Sequence, residues 1–413
     1  MAGPYASPAW SALPIDLLIR ILHLLELPEA VAFRAVCPLW RSASTAAGSV
    51  PSRRTPWLVS LKENPLPGSM PLWDPTSSFR NLLDGKTFQV NFFWGEAGAL
   101  CGASHGWLIM ANKLSNLVLY NPFTSVLVPL PPIIGFDQCI EGVYGDEEGK
   151  TTLVGYRYVC FEGCDPPYDL NSRLGWYFYD KVVLSGSPSV GCPLALAIHL
   201  DGKRLSSARV GDSCWQQLSM FQRSRDSFAD CVYHRGRFYV VTMRGRMKCL
   251  EFGGTSELRK KTVIAKNDDD DPDDGVITRY LVSTPWGRLL QIRVILDKDE
   301  LNNVRVEIDR LDKKSQKMVG LSTAKALRGH SAFVGQNNPG LLSTKEFPQL
   351  KPDCIYFTTP RLREDNPFIN RHNEWNGVKV YDLKKRTLKA AFPSSGGHYG
   401  TYYPFEVWFT PSL

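Results

Sequence analysis

Ser104-His105-Gly106-Trp107-Leu108-Ile109-Met110, then Leu117-Val118-Leu119-Tyr120-Asn121-Pro122 and a turn into Val126-Leu127-Val128, decides how most of this chain is read. A glycine opens an apolar strand, a turn follows, and an alternating strand ends on Asn. The unit recurs at His234-Arg235-Gly236-Arg237-Phe238-Tyr239-Val240-Val241, followed by Met247-Lys248-Cys249-Leu250-Glu251-Phe252. A third copy runs Pro285-Trp286-Gly287-Arg288-Leu289-Leu290-Gln291-Ile292, then Val304-Arg305-Val306-Glu307-Ile308-Asp309. A partial fourth is Val378-Lys379-Val380-Tyr381-Asp382-Leu383, a basic turn, and Leu388-Lys389-Ala390-Ala391-Phe392. No such meander buries both its faces alone, so the units must stack.

Outward from these copies, β segments are expected at Leu117–Tyr120, Leu153–Val159, Trp176–Val183, Phe238–Met243, Leu289–Leu296, Val304–Ile308, Ile355–Thr358 and Val378–Tyr381. They are rich in Val, Ile, Tyr and Phe and bounded by Gly, Asn, Asp and Pro. Units of about 45–60 residues suit β-propeller blades, and about 350 residues at about 50 per blade gives six or seven of them. A β-sandwich pair is the alternative, and the repeat counts against it.

The first 45 or so residues follow a different period. In Trp10-Ser11-Ala12-Leu13-Pro14-Ile15-Asp16-Leu17-Leu18-Ile19-Arg20-Ile21-Leu22, Leu17 and Ile21 recur at helical spacing, continued by Leu24 and Leu25 and widened by Leu18 and Leu22. Pro14 fits a helix start, Asp16 complements the positive end of the dipole, and Pro28 and Pro38 punctuate two further helices. Three helices this short cannot bury all those leucines and Trp40 against themselves. The surplus needs either the rest of the chain or another protein. A plain helical cap on the following domain is the competing reading.

Composition narrows the class. The 413 residues are 43% hydrophobic and 11% aromatic, which suits a folded protein of two or three domains. No window approaches the roughly 18 apolar residues of a membrane span, and Met1-Ala2-Gly3-Pro4-Tyr5 lacks a secretory pattern. A cytosolic or nuclear chain is therefore expected, with its ten cysteines as thiols. Cys160 and Cys164 are close but have no second pair, so no metal site is expected. The net charge of +7, from 48 Lys plus Arg against 41 Asp plus Glu, is mild. It favours an acidic partner weakly and falls short of a nucleic-acid binder.

The stretches that invite chemistry read blandly. The run Asp268-Asp269-Asp270-Asp271-Pro272-Asp273-Asp274-Gly275 fails as a calcium loop, because Pro272 and Leu281 fall where ligands are needed. Arg235-Gly236-Arg237 and Arg244-Gly245-Arg246 flank one strand and so lie about 20 Å apart, too far for a joint nucleic-acid surface. Lys384-Lys385-Arg386 reads as a hairpin turn, and His105 as a rim or inter-blade residue. No nucleophile elbow, zinc-protease motif, P-loop or dinucleotide fingerprint is present, and no catalytic residue or cofactor is expected.

Two sets of residues resemble known families. Leu13-Pro14, Asp16-Leu17-Leu18, Ile21-Leu22, Arg34-Ala35-Val36-Cys37 and Trp40-Arg41 match the F-box pattern nearly in register. Two residues depart from it: Arg20 stands where the family usually carries an acid, and Glu26 where it often has a proline or small residue. The resemblance implies docking onto a Skp1-like adaptor and, through it, a cullin-based ubiquitin ligase. By matching position it makes Leu13, Pro14, Leu17, Ile21, Leu25, Val36 and Trp40 the adaptor-facing anchors, some of which must also hold the helices together. Asn121-Pro122-Phe123-Thr124, Phe347-Pro348 with Leu350-Lys351-Pro352-Asp353-Cys354-Ile355-Tyr356-Phe357-Thr358, and Pro404-Phe405 with Val407-Trp408-Phe409 resemble the plant DUF295 family. That likeness implies a β-propeller behind an F-box; as a separate hypothesis, the Trp408-Phe409 segment supplies a strand that closes the ring against β segments near Trp57–Leu61.

The expected organisation is an F-box at 10–45, a linker at 46–56 and a propeller at 57–413. The expected role is the non-catalytic substrate-recognition subunit of an SCF-type ligase. The alternative is a non-ligase binding module whose helices are structural.

Overall fold

The computed structural model describes residues 10–25, 27–47, 56–64, 72–91, 97–122, 124–147, 149–159 and 168–170. It also describes 174–221, 224, 226–254, 257–264, 275–296, 304–312, 314–322, 326–358, 377–392 and 406–410.

After a single 3-10 turn at Trp10–Ala12 come α1 (Ile15–Leu24), α2 (Leu27–Val36) and α3 (Pro38–Ala46). Pro14 caps α1, and its carbonyl accepts hydrogen bonds from the Leu17 and Leu18 amides. Pro38 is the first residue of α3, where a missing N–H costs nothing.

The strands follow as meanders. Blade one holds β1 (Trp57–Asn64), β2 (Leu72–Asn81) and β3 (Thr87–Asn91). Blade two is β4 (Ala97–Ser104), β5 (Trp107–Asn112), β6 (Leu117–Asn121) and β7 (Val126–Pro129). A smaller sheet of β8 (Ile140–Glu147), β9 (Lys150–Tyr158) and β10 (Tyr168–Asp169) comes next, then the short α4 (Leu174–Phe178). Blade three is β11 (Tyr179–Leu184), β12 (Leu194–His199), β13 (Arg204–Arg209) and β14 (Gln216–Met220). Blade four is β15 (Phe228–His234), β16 (Arg237–Thr242), β17 (Met247–Phe252) and β18 (Leu258–Ile264). Blade five is β19 (Val276–Ser283), β20 (Leu289–Leu296), β21 (Val304–Asp312) and β22 (Lys317–Leu321). Blade six gathers β23 (His330–Val334), β24 (Gly340–Ser343), β25 (Cys354–Phe357), β26 (Lys379–Asp382) and β27 (Thr387–Ala390), with β23 and β25 parallel. The last strand, β28 (Glu406–Phe409), returns to blade one.

Successive inner strands pack side by side: β28 on β4, β4 on β11, β11 on β15 and β15 on β19. Because β4 meets β11 directly, the three-stranded sheet between them in sequence is not a seventh blade. Among the described residues the ring has six blades, and the extra sheet packs on the core shared by blades two and three. Phe136 stacks there on Trp215 at 4.6 Å and meets Phe178 edge-on at 5.0 Å.

The strand expected over Trp176–Val183 is half helix. Residues 174–178 turn as α4, and only from Tyr179 does the strand begin. The turn brings the Gly175 amide to Ser115 Oγ at 2.8 Å and buries Phe178 against His199, contacts that a straight strand would not reach.

Closure happens as the sequence implies. β28 pairs antiparallel with β1, Trp57 opposite Phe409 and Val59 opposite Val407. Trp408 is buried and packs edge-on against Phe333 at 5.2 Å and Tyr356 at 6.3 Å, both in blade six. One strand, paired with β1 and packed through Trp408 on blade six, thus holds the first blade to the last.

Candidate functional site: the helical head and the ring axis

The helical head divides its apolar residues into two sets. Leu18 and Leu22 of α1, Ala30 and Phe33 of α2, and Ala43 of α3 are buried together. Their cluster continues into Trp57, Val59, Phe79 and Phe409 of blade one, which ties the helices to the ring's seam. Trp40 packs on Phe33 at 4.5 Å and donates its indole N–H to the Trp10 carbonyl at 3.0 Å. Leu13, Ile21, Leu25 and Trp40 are half-buried against this cluster.

The other set faces out. Leu17 is 39% exposed and Val36 55% exposed, and Ile15, Leu24, Leu39 and Trp10 are exposed as well. Pro14 is exposed beside them in sequence. Of the seven residues named from sequence, Pro14, Leu17 and Val36 therefore present free surface. Leu13, Ile21, Leu25 and Trp40 do most of their packing inside the head. Leu18 and Leu22, read only as widening the stripe, are the true interior, and the sign was their position one step after Leu17 and Ile21.

The ring axis is crossed by backbone. The loop between β23 and β24, Gly335-Gln336-Asn337-Asn338-Pro339, leaves blade six and reaches blades two and three. Gln336 donates through Nε2 to the Asp180 carbonyl at 3.0 Å, and the Asn338 amide to the Ala103 carbonyl at 2.6 Å. Blades three and six stand opposite in a six-membered ring, so a contact between them must pass through the middle. Gly102 makes room for this crossing. A Cβ there would stand 2.9 Å from the Gln336 carbonyl oxygen and 3.2 Å from that of Val182. Lys181 lies buried beside it, donating to the Gly335 carbonyl at 3.0 Å and forming an ion pair with buried Asp230. Asp230 also accepts the Leu281 amide at 2.7 Å, joining blades three, four, five and six through one charged pair.

His105 is half-buried and shares a hydrogen bond with the Leu184 carbonyl at 3.2 Å, across blades two and three. Burial lowers its pKa, partly offset by that bond. The two Arg-Gly-Arg turns fall at opposite ends of β16, and Lys384-Lys385-Arg386 forms the β26–β27 turn. The acidic run 268–274, Cys160 and Cys164 lie outside the described residues. Among the described residues, no group of three or more His, Cys, Asp or Glu is placed to hold a metal ion.

Comparison with known proteins agrees with this architecture. The F-box domain model matches residues 10–47, and the KIB1-4 beta-propeller model matches residues 79–382. The F-box/kelch-repeat protein KIB1 of Arabidopsis thaliana is 28% identical over 404 residues, covering 92% of this chain and 85% of that protein. A second F-box protein of the same plant is 30% identical over 128 residues, and here the match spans 30% of this chain and 32% of its relative. Solved structures resemble the ring loosely. A functionally unknown protein from Desulfotomaculum acetoxidans is 9% identical with a TM-score of 0.38, covering 86% of this chain and 99% of that one. With a model covering most of the ring and a second covering the helices, the chain belongs to the KIB1-4 β-propeller family and carries an F-box ahead of its propeller.

Proposed function

We propose that this chain is the substrate-recognition subunit of an SCF-type E3 ubiquitin ligase. The F-box helices bind a Skp1-like adaptor, the adaptor binds a cullin, and the propeller holds a target protein. The chain itself changes no bond. It keeps a target near the ubiquitin-charged enzyme, so that acceptor lysines meet it at raised effective concentration. An F-box joined to a propeller, with F-box proteins as relatives, supports the receptor role in general terms.

The observation that carries the reading is the exposed apolar set on the head. Leu17 and Val36 stand free while Leu18, Leu22 and Phe33 hold the helices, so the head has surplus apolar surface for a partner. A second reading also has an observation behind it. The buried half of the head shares its cluster with Trp57 and Phe409, as a structural cap would. Co-purification of the full chain with a Skp1-like adaptor separates the two. Leu17→Asp combined with Val36→Asp touches only exposed positions and should abolish capture while leaving the fold intact. Undiminished capture by that variant would remove the docking assignment.

A further inference from the structure

One sector of the rim combines aromatic surface with unpaired positive charge, brought together from three blades. The inner strand of blade five ends in Thr284-Pro285-Trp286-Gly287-Arg288. Thr284 fixes that turn: its Oγ1 accepts the Arg288 amide at 2.8 Å and donates to the Arg288 carbonyl at 3.0 Å. On one side stands Arg235 of the blade-four turn, its guanidinium so close to Gly287 that a Cβ there would collide with it. On the other side, from blade six, the Arg328 guanidinium lies 5.0 Å from the Trp286 ring, and His330 meets the same ring edge-on at 5.1 Å. Both flanking arginines occupy left-handed backbone, Arg235 at φ 49° and Arg328 at φ 53°, each followed by a glycine. Such turn positions favour Asn, Asp and Gly, so arginine is an uncommon occupant.

Several arginines close to this sector are paired with acids, whereas the three arginines around Trp286 are not. Two residues from Arg235, Arg237 pairs with Glu251 at 3.2 Å. Arg293 pairs with Glu307 and Asp309, and Arg305 with Glu307. Asp353, the carboxylate below Arg328, is already engaged by the Gly329 amide at 2.9 Å and Lys384 at 3.2 Å. Among the described residues, neither Arg235, Arg288 nor Arg328 has a carboxylate partner. Guanidinium groups left without acids, beside a half-buried indole on a rigid turn, form a receptor for carboxylates.

We propose that the rim of blades four to six, centred on Trp286 and flanked by Arg235, Arg288 and Arg328, binds an acidic segment of the target protein. The proposal rests on the reading that the propeller holds a target, and it names where and by what chemistry. Arginine forks would clamp Asp or Glu side chains while Trp286 supplies the apolar floor.

The test is a fluorescence-anisotropy titration of the full chain with a labelled peptide of alternating Glu and Asp, beside its Gln and Asn counterpart. The acidic peptide should bind, the neutral one should not, and binding should weaken as salt rises. Arg235→Glu with Arg328→Glu should lower affinity at least about tenfold. Trp286→Ala should lower it at least about threefold. Lys385→Glu with Arg386→Glu, an equal charge change on the β26–β27 turn, should change it less than about twofold. No binding by the wild type, equal losses in the control variant, or tighter binding of a short DNA duplex would each overturn the assignment. Adaptor capture measured on the same samples keeps the outcomes apart. A wild type that captures the adaptor and fails to bind the acidic peptide sinks the rim site alone, and one that binds the peptide and fails to capture the adaptor sinks the ligase reading alone.

Discussion

The ring and the head treat their apolar residues in opposite ways. In blade three every residue of β11 and β12 is buried, and each strand is paired on both sides or packed on the next blade. In α1, only Leu18 and Leu22 of ten residues are buried, and Leu24 is 81% exposed. A closed sheet satisfies itself. A trio of short helices with one face inward leaves its outward leucines in solvent, the surface on which the proposed docking rests.

The contrast can be broken most violently at the seam. Trp408→Asp places a charge among Phe333, Tyr356 and Leu58, and should cost more than about 4 kcal/mol, enough to abolish cooperative unfolding in a denaturant titration. If such a protein melted normally, the closing strand would not be what holds the ring. Next comes the axis. Lys181→Met leaves Asp230 buried without its cation and should cost about 3–5 kcal/mol in urea unfolding. Combining it with Asp230→Leu should restore much of that loss, because two matched apolar groups need no partner.

A smaller effect sits in the same closing strand. Burial raises the Glu406 carboxyl to about 7, with Arg80 pulling the other way. An unfolded Glu titrates near about 4.3, so the folded state holds this proton more tightly between those values. Its stabilisation is complete below about pH 4.3 and is lost as pH rises through about 7. Glu406→Gln should therefore flatten the pH dependence and stabilise the protein at pH 8 by on the order of 1–2 kcal/mol, with little change at pH 4. Thermal melts across that range check it. The smallest stability effect belongs to the head. Leu17→Asp with Val36→Asp should shift unfolding by less than about 1 kcal/mol, since neither side chain leaves a buried site.

Sequence legibility followed the same division. Local patterns exposed the repeat units and the three helices, because turn residues and side-chain period are short-range signals, and the closing of the terminal Trp408-Phe409 segment on Trp57–Leu61 was anticipated as a hypothesis. What escaped depends on contacts between blades. Gly335-Gln336-Asn337-Asn338-Pro339 reads as an ordinary loop, and nothing local tells that it crosses the axis to Asp180 and Ala103. Lys181 and Asp230 sit in separate repeats, so their pairing is invisible until the ring closes. Arg235 was weighed only against Arg244, its neighbour along the chain. Its guanidinium in fact lies against Gly287 of blade five, next in sequence to Trp286, whose ring meets Arg328 from blade six. In the head, one-residue offsets decided the matter: Leu18 turned inward and Leu17 outward, a choice that depends on where the ring stands.

A calorimetric titration of a purified Skp1-like adaptor into the full chain, run at several temperatures, tests the central claim most directly. Burying Leu17, Val36 and their exposed neighbours should give saturable binding with a clearly negative heat-capacity change, both lost in the Leu17→Asp, Val36→Asp variant. Absence of binding by the wild type, or binding that the variant retains with the same heat-capacity change, would contradict it.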